Sequence, residues 1–462
     1  MNRFIPLLLG CVAAVPLAPI ANGGGAAADA QEVRIPHTVF ELPNGLRFVV
    51  HEDHSTPIAA VNVWYHVGSG YEEPGRTGFA HLFEHIMFEG SKNVPEGDFD
   101  NLLEAAGGQN NGSTNPDRTN YYETVPSSAV ELALWLEADR MGGLLETMSQ
   151  QKLDVQRDVV KNERRQSYEN RPYGMLWETA AAALYPAGHP YSWSTIGSMA
   201  DLSAASLEDV ESFFRRYYAP NNAVVVVAGD VSTDSVRAMA ERLFGWIPRG
   251  EAVAKPEIPM PQIAATRHLT LEDRVTLPQL TMIWRTTPRF AADEAAIDVL
   301  AAVLTEGKNS RLYQRLVYEG ETAQSVNAFN RAQLLSGDLY VQVMGREGTS
   351  LGAMEAAVLD EVARIAAAPP SAEEVARVVN GIETGFVRSL QAVAGKADQL
   401  NSYLYYTGAA GYAPQDLARY RAVTPADVQR VARDYLTGRN RVVISIVPQG
   451  KQSLAAGGKE TE

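Results

Sequence analysis

The chain carries one segment twice: residues 209–225 read Asp209-Val-Glu-Ser-Phe-Phe-Arg-Arg-Tyr-Tyr-Ala-Pro-Asn-Asn-Ala-Val-Val225, and residues 427–443 read Asp427-Val-Gln-Arg-Val-Ala-Arg-Asp-Tyr-Leu-Thr-Gly-Arg-Asn-Arg-Val-Val443. Each has the pattern of an amphipathic helix, a polar turn and an apolar strand. The aspartate, a tyrosine, an asparagine and the valine pair recur at a constant offset of 218 residues. This gapless repetition predicts two homologous α/β halves.

The two halves occupy most of the 462-residue chain, which is too long for a single core. Residues 250–266 contain Pro256, Pro259 and Pro261 and few apolar runs, as is typical of an extended linker. We predict an N-terminal repeat at 31–249, a C-terminal repeat at 267–450 and a flexible tail at 451–462. The repeats are expected to fold over one another like a clamshell, with substrate between them.

The first 30 residues have the composition of a secretory signal peptide. Arg3 precedes an apolar run, and Ala28-Asp-Ala30 provides an A-x-A cleavage site before Gln31. Prolines within the run argue against a retained membrane span. A lipoprotein box ends at Cys11, but the apolar run continues beyond it, which makes lipidation the less favoured alternative. We predict a periplasmic or secreted protein.

Composition excludes several functions. The single cysteine lies in the predicted signal peptide, so the mature chain has neither a disulfide nor a thiolate nucleophile. The formal net charge of −15 argues against nucleic-acid binding, which needs basic patches. The same charge favours basic peptides as partners, although it also serves solubility.

A candidate metal site lies in residues 77–90, Thr77-Gly-Phe-Ala-His-Leu-Phe-Glu-His-Ile-Met-Phe-Glu-Gly90. We predict one short helix, with Thr77 as its N-cap and Gly90 as its left-handed end. His81 and His85 are four residues apart, so both imidazoles lie on one helix face within reach of one ion.

Two imidazoles with a neighbouring carboxylate suit a hydrolytic zinc centre. His81 and His85 would bind Zn²⁺ with a third protein ligand, and the ion would lower the pKa of a bound water towards about 7. Glu84 would act as general base and pass the proton to the leaving amine. On ligand type Zn²⁺ is favoured, but Co²⁺ and Mn²⁺ remain alternatives. The matching positions of the second half are Asp298, Ala301 and Ala302, so that repeat lacks a metal site.

The third ligand is open on spacing alone. A helix is predicted at about residues 150–169 with Ser149 as its cap, and Gln156, Val159, Val160 and Glu163 fall on one face. A glutamate on this stripe is either a surface residue or a buried carboxylate with a partner such as a cation. Other acidic residues compete for this role: Glu137, Asp139, Glu146 and Asp158.

The polar stretch at residues 110–114, Asn-Asn-Gly-Ser-Thr, has two interpretations. It could be a surface loop. Alternatively, it is an edge strand beside the metal, whose free backbone groups would take an extended peptide as an added strand.

Taken together, the motifs resemble the pitrilysin family of inverzincin zinc peptidases, in particular short bacterial members similar to mitochondrial processing peptidase subunits. The resemblance covers essentially the whole mature chain. It depends on these segments: His81-Leu-Phe-Glu-His85, Phe88-x-Gly90-Ser91, Asn111-Gly-Ser-Thr114 with Thr119 and Tyr121, Arg157-Asp-Val-Val-Lys-Asn-Glu163, Tyr218-x-Pro-x-Asn222 and Asn309-Ser-Arg-Leu312.

The resemblance implies an α+β fold of two homologous repeats, each a mixed, mostly antiparallel sheet packed with helices, that together form one clamshell half. It implies that Glu163 is the third zinc ligand and that the chain is a metalloendopeptidase acting on peptides or unfolded segments. It also implies that peptide binds an edge strand and its surroundings, at Asn110, Asn111, Gly112, Ser113 and Phe88. Gln156 stands where relatives often carry a glutamate, so support behind the ligands would be neutral.

A second departure concerns the C-terminal repeat. In active single-chain members of the family, this repeat carries a segment resembling Leu-Arg-x6-Tyr. Its arginine and tyrosine help to bind substrate and stabilise the oxyanion. Here ungapped matching places Val317 and Gln324 at those positions, with Arg315 and Tyr318 nearby but out of register. We therefore predict a heterodimer in which a metal-free homologous subunit supplies the pair.

A non-catalytic scaffold subunit of a larger assembly is the alternative function. Scaffolds usually lose metal ligands, whereas His81, Glu84, His85 and Glu163 are all present. Among enzymes, a maturation protease with one substrate and a general peptide scavenger remain equally open.

Overall fold

The computed structural model describes residues 32–438 and 440–457. The predicted signal peptide lies outside these residues. The strands are β1 Thr38–Glu41, β2 Arg47–Glu52, β3 Ile58–Tyr65, β4 Gln109–Thr114, β5 Thr119–Pro126, β6 Ala223–Gly229, β7 Arg267–Asp273, β8 Gln279–Thr286, β9 Ala323–Ala332, β10 Gly337–Gly345 and β11 Arg441–Pro448. The helices are α1 Phe79–Ile86, α2 Asp98–Ala105, α3 Val130–Gly143, α4 Gln150–Arg164, α5 Leu176–Leu184, α6 Met199–Ala204, α7 Leu207–Tyr217, α8 Thr233–Phe244, α9 Glu294–Thr305, α10 Leu351–Ala367, α11 Ala372–Ser389, α12 Val393–Thr407, α13 Ala413–Arg421 and α14 Pro425–Val431.

The two halves contain sheets of the same topology, except that the first sheet has an additional edge strand, β1. The first sheet has the order β1-β2-β6-β3-β5-β4, and the second has the order β7-β11-β8-β10-β9. In each sheet one pair is parallel, β2 with β6 and β7 with β11, and the other pairs are antiparallel. Strands β2, β6, β3, β5 and β4 of the first sheet correspond in order and direction to β7, β11, β8, β10 and β9 of the second. The predicted internal repeat and the α+β fold class are therefore confirmed.

The central strand β6 shows how the sequence produces this core. All seven of its residues are buried, because both faces of the sheet are covered at this point. Val225 and Val227 face one apolar core, and Val224 and Val226 face another. The alternation follows from the two-residue period of a strand.

One helix of each half packs against the sheet of the other half. Helix α12 belongs to the second half, and its Val393, Ala397 and Leu400 pack against Val49 and Val224 of the first sheet. Helix α5 belongs to the first half, and its buried leucines and alanines pack against apolar residues of the second sheet, namely Ile283, Tyr340, Val442 and Ile444. The cores of both sheets therefore contain residues from both halves.

This exchange predicts that the N-terminal repeat does not fold cooperatively alone. Without α12, residues such as Val49 and Val226, which are 0% exposed, would face water. Each such side chain costs about 1.5–3 kcal/mol on exposure, and several together approach the total stability of about 5–15 kcal/mol. We expect residues 31–249 expressed alone to lack the near-ultraviolet circular dichroism and the sharp thermal transition of residues 31–462. A cooperative transition in the fragment would contradict this expectation.

Two local expectations need correction. Val159 was predicted to share the packed face of α4, but it is 41% exposed because the buried stripe runs through Leu153, Gln156 and Val160.

Residues 451–457 were predicted as part of a flexible tail, but Ala456 is buried and its N–H donates to Ser445 Oγ at 3.0 Å.

The predicted linker, residues 250–266, contains neither helix nor strand. Within the described ranges, every helix is too short or too polar to cross a bilayer.

Candidate active site

Helix α1 carries both histidines of the motif. It begins at Phe79 after Gly78, which has φ +87°, rather than at the predicted cap Thr77. Thr77 is displaced from that role because its N–H and hydroxyl both donate to Asp201, at 3.0 and 2.5 Å. Gly90 is left-handed as predicted, with φ +86°, but lies beyond the helix end at Ile86.

Glu72 caps α1, a role that the sequence pattern did not predict. Its carboxylate accepts from the N–H groups of Gly78 at 3.0 Å and Ala80 at 2.8 Å. Burial raises the pKa of Glu72 to about 8, although the two N–H donors oppose the rise. A cap six to eight residues before the helix has no local sequence signal, because only the tertiary path of the chain brings it there.

The three predicted metal ligands converge. Glu163 lies near the end of α4, and its Oε2 is 3.6 Å from His81 Nε2 and 3.4 Å from His85 Nε2. One ligand atom from each residue lies within 4.8 Å of the other two. The structure thus brings together a carboxylate and two imidazoles that are about 80 residues apart in sequence.

This donor set fits Zn²⁺. Zinc sites in hydrolases use three nitrogen or oxygen ligands and leave one position open. Two ligands about 2.0–2.1 Å from a tetrahedral zinc ion lie about 3.3–3.4 Å apart, close to the two histidine–glutamate distances. Both histidine–glutamate distances are therefore compatible with shared binding of one ion, and all three ligand atoms lie within 4.8 Å of one another.

The protonation states also suit a cation. Burial lowers the pKa of His81 to about 4, against the opposing charge of Glu163, so its ring is neutral near pH 7. A hydrogen bond with His85 lowers the pKa of Glu163, which keeps this carboxylate ionised. Metal ligands must be deprotonated in this way.

The other acidic candidates for third ligand are engaged elsewhere. Buried Glu137 pairs with Arg140, and Asp139 accepts from Ser91 Oγ at 2.5 Å and from Asn93. Glu146 binds Lys92 at 2.9 Å and Asp158 binds Lys161 at 2.8 Å. Among the residues described, only Glu163 completes a cluster of this kind with the two histidines.

Glu84 lies between α1 and strand β4. Its Oε2 accepts from Thr114 Oγ1 at 2.5 Å, and burial raises its pKa while this hydrogen bond opposes the rise. A Cβ on Gly112 would lie 3.0 Å from Glu84 Cγ, so a glycine is what allows the close approach. Thr114 was not among the predicted site residues, although its position two residues after Gly112 places both on the same strand face.

Strand β4 is the edge of the first sheet, because it pairs with β5 alone. Of the two interpretations of residues 110–114, the structure supports the edge strand. Asn110 donates to Asp100 at 2.8 Å, and Asn111 is exposed. Ser113 faces away from Glu84, donating to Asn120 at 2.6 Å and accepting from Arg118 at 2.7 Å.

Two further predicted residues lie near the ligands in sequence: Phe88 follows α1, and Gln156 is on α4 with Glu163. Phe88 is half-buried, with its ring 5.5 Å from Phe99 and 5.8 Å from Tyr121. Gln156 is 7% exposed and donates to Glu89 Oε1 at 2.6 Å.

The second half contains the scaffold of a site without its ligands. Asp298, Ala301 and Ala302 lie on α9, which corresponds to α1. Asp298 accepts hydrogen bonds from Tyr420 at 2.6 Å and Asn330 at 3.0 Å.

Other residues occupy the two positions at which active single-chain members of the resembled family carry an arginine and a tyrosine. Val317 packs on the second core, and Gln324 is exposed at the start of β9. Arg315 is held by Asp360 at 2.5 Å and Glu361 at 3.0 Å, and Tyr318 is 70% exposed.

Comparison with family models matches both halves. Residues 47–189 match the model described as insulinase (peptidase family M16), and residues 204–382 match the peptidase M16 inactive domain. The inactive-domain match begins after Glu163 and therefore covers none of the four motif residues in the first half.

Individual relatives match between 76% and 92% of the chain. This chain is 28% identical over 429 residues to the zinc protease PqqE of Helicobacter pylori, and the match covers 92% of this chain and 96% of that protein. A Mycobacterium leprae protein named as an uncharacterized zinc protease is 31% identical over 76% of this chain and 78% of its own length. The mitochondrial-processing peptidase subunit beta of Blastocladiella emersonii is 25% identical, covering 90% of each.

Solved structures agree with the fold. A crystal structure of a protease from Helicobacter pylori has a TM-score of 0.85 at 26% identity, covering 90% of this chain and all of that one. The periplasmic protease PqqL of Escherichia coli has a TM-score of 0.77 at 18% identity, covering 92% of this chain and 49% of that one. On its sequence matches to both domain models and to zinc proteases along its length, the chain belongs to the insulinase family, peptidase family M16.

Proposed function

We propose that this chain is the catalytic subunit of a zinc metalloendopeptidase that hydrolyses peptides or unfolded polypeptide segments. The observation that carries the proposal is the convergence of His81, His85 and Glu163 within 4.8 Å, beside a half-buried carboxylate, Glu84, that faces an edge strand. Relatives that are named as zinc proteases match most of the chain, which supports the same proposal.

In this proposal His81, His85 and Glu163 hold a zinc ion. Bound zinc polarises a carbonyl oxygen and lowers the pKa of water towards about 7. Glu84 accepts the proton of the attacking water and delivers it to the leaving amine. Its burial and its bond from Thr114 keep this carboxylate in one orientation.

The substrate is proposed to bind as an extra strand along β4. Edge strands present free N–H and C=O groups, and an extended peptide pairs with them while its alternate side chains enter pockets. Within the proposed binding stretch Asn110, Asn111, Gly112 and Ser113, alternate residues would supply these backbone groups, because the others are paired with β5. The absence of a side chain at Gly112 leaves the Glu84 carboxylate accessible. Phe88 is proposed to contact the peptide, and Gln156 to support the ligand set through its hydrogen bond to Glu89.

Replacing Gly112 by alanine is expected to lower peptide hydrolysis by about tenfold or more. The new Cβ would lie 3.0 Å from Glu84 Cγ and 3.3 Å from Oε1, so Glu84 or β4 must shift, and small displacements of reacting groups are costly. Initial rates on a quenched fluorescent peptide would measure the effect. Gly385→Ala on α11 is the control, because no atom lies within 4 Å of its added Cβ. Equal rates for the two variants would contradict the expectation.

A partner subunit without a metal motif is proposed to supply an arginine and a tyrosine. The relevant positions here are Val317 and Gln324, and the neighbouring Arg315 is already paired with two carboxylates. The similarity to a protein named as a subunit of mitochondrial-processing peptidase supports a two-subunit enzyme. The fold also accounts for 49% of the longer PqqL chain, so two such chains match its length.

The remaining assignments follow from the sequence. We propose cleavage of residues 1–30 as a signal peptide and a periplasmic or secreted location, with repeats at 31–249 and 267–450 joined by residues 250–266.

The proposal is tested by expressing residues 31–462 alone and with metal-free homologous chains encoded in the same genome. Zinc content and hydrolysis of unstructured peptides would be measured with and without a chelator. We expect one zinc per chain and chelator-sensitive hydrolysis that increases with the partner. A folded chain without zinc or hydrolysis under every pairing would favour the scaffold alternative. An active homodimer needing no second chain would overturn the heterodimer.

A further inference from the structure

Asp117 lies in the turn between β4 and β5, outside the cluster of metal ligands, and it is 2% exposed. Its Oδ2 accepts from Tyr406 Oη at 2.7 Å and from the Leu334 N–H at 2.9 Å, and its Oδ1 accepts from Tyr191 Oη. Its backbone carbonyl also accepts from Tyr405 Oη at 2.9 Å. Three segments distant in sequence therefore meet at one buried carboxylate.

Most of these donors belong to the second half. Tyr405 and Tyr406 lie on α12, and Leu334 lies in the connection between β9 and β10. A carboxylate with several neutral donors holds them more strongly than a neutral acceptor would. Asp117 thus ties the β4–β5 turn of the first half to the second half.

The turn is also hydrogen-bonded on its other side. Asn115 Oδ1 accepts from the N–H groups of Asp117 at 2.8 Å and Arg118 at 3.0 Å, which closes an Asx-type turn. Arg118 Nη1 in turn donates to the Ser113 carbonyl of β4 at 2.8 Å. Movement of Asp117 would therefore be transmitted directly into β4.

The same turn also rests on the segment that leads to α1. The Ser69 N–H donates to the Asn115 carbonyl at 3.1 Å, and a Cβ on Gly68 would lie only 2.0 Å from that oxygen. Three residues after Ser69, Glu72 caps α1. The turn and the histidine helix are thus positioned by neighbouring parts of one segment.

From this geometry we infer that Asp117 is a positioning residue through which the second half sets β4, and with it Thr114, against Glu84. The inference depends on the proposed function for its catalytic consequence, but its structural part does not. It differs from a general stabilising role because it predicts an effect that passes through Thr114.

A double-mutant cycle on the mature chain, with its partner if required, tests the coupling. Asp117→Asn preserves size but turns an amide N–H₂ towards hydrogen-bond donors, and Thr114→Val removes the donor to Glu84. We expect each single variant to lower kcat about tenfold with zinc content unchanged, and the double variant to lose about tenfold rather than a hundredfold. An additive loss of about a hundredfold, or less than threefold for Asp117→Asn, would overturn the inference.

Asp298→Asn is the matched control, since Asp298 likewise accepts from a tyrosine hydroxyl and a nitrogen donor, but on α9. We expect its kcat to stay within threefold of wild type at a temperature where every variant is folded. Equal losses of kcat in both aspartate variants would reduce Asp117 to an ordinary structural residue.

Hydrogen exchange separates this inference from the proposed function. Amides of residues 109–114 should exchange at least about tenfold faster in Asp117→Asn and at the wild-type rate in Asp298→Asn. If the wild type proves inactive on every peptide, the proposed function fails while the exchange measurement still decides the positioning role. Unchanged exchange in Asp117→Asn would overturn it.

Discussion

Replacing Glu84 by glutamine is expected to lower peptide turnover by about 10²–10⁴-fold, the contribution typical of general base catalysis. Glutamine has nearly the same shape and can still accept from Thr114, but it cannot take a proton from water. The three ligand atoms belong to other residues, so bound zinc should be unchanged. Steady-state kinetics on a fluorogenic peptide, with zinc measured by mass spectrometry on the same samples, would test both parts.

Glu104→Gln on α2 is a suitable control, because it makes the same chemical change at an exposed position. Its kcat/KM should remain within about twofold of wild type, as is usual for surface changes. Hydrolysis by Glu84→Gln at the wild-type rate would remove Glu84 from the mechanism. Loss of zinc in that variant would instead place Glu84 among the metal ligands.

Replacing Glu163 by glutamine is expected to abolish both zinc retention and hydrolysis. Loss of an outer hydrogen-bond partner of a metal ligand already costs about 10–100-fold in affinity, so replacing a ligand should cost more than about 100-fold. The ion would also lose its only carboxylate among the three proposed donors. Competition with a chromophoric chelator would measure the affinity.

Asp158→Asn provides the control on the same helix. Asp158 is paired with Lys161 and contributes nothing to the histidine cluster, so zinc affinity should equal that of wild type. Equal zinc affinity in Glu163→Gln and wild type would contradict the ligand assignment. The metalloendopeptidase proposal would then lack its third ligand.

Much of the local structure could be predicted from sequence pattern. The Asn44-Gly45 turn predicts a hairpin, and β1 and β2 pair antiparallel on either side of it. Ser149 was predicted to cap a helix, and its hydroxyl accepts from the Lys152 N–H at 3.3 Å. The helix predicted at 150–169 is α4 followed by a π-helical turn from Arg165 to Glu169. These features depend on neighbours within a few residues, which is why pattern suffices.

Features that depend on distant neighbours were harder to predict. Thr77 fits the local preference for an N-cap, yet Asp201 binds it and the glutamate at position 72 caps α1 instead. Val159 fits a helical stripe, but which side of that stripe is buried depends on where α4 meets α1. The exchange of α5 and α12 between sheets has no signature in either helix, since both simply present apolar residues.

The sequence by itself determined that the chain has two related halves and that only the first carries two histidines and a glutamate at metal-binding spacing. Both follow from residue identity and separation along the chain. Only the tertiary structure decided that Glu163, and not another acid, meets those imidazoles, that residues 109–114 form a sheet edge against Glu84, and that Asp117 joins this edge to the second half. The reason is physical: these contacts join segments tens to hundreds of residues apart, and their geometry depends on how the sheets and helices pack.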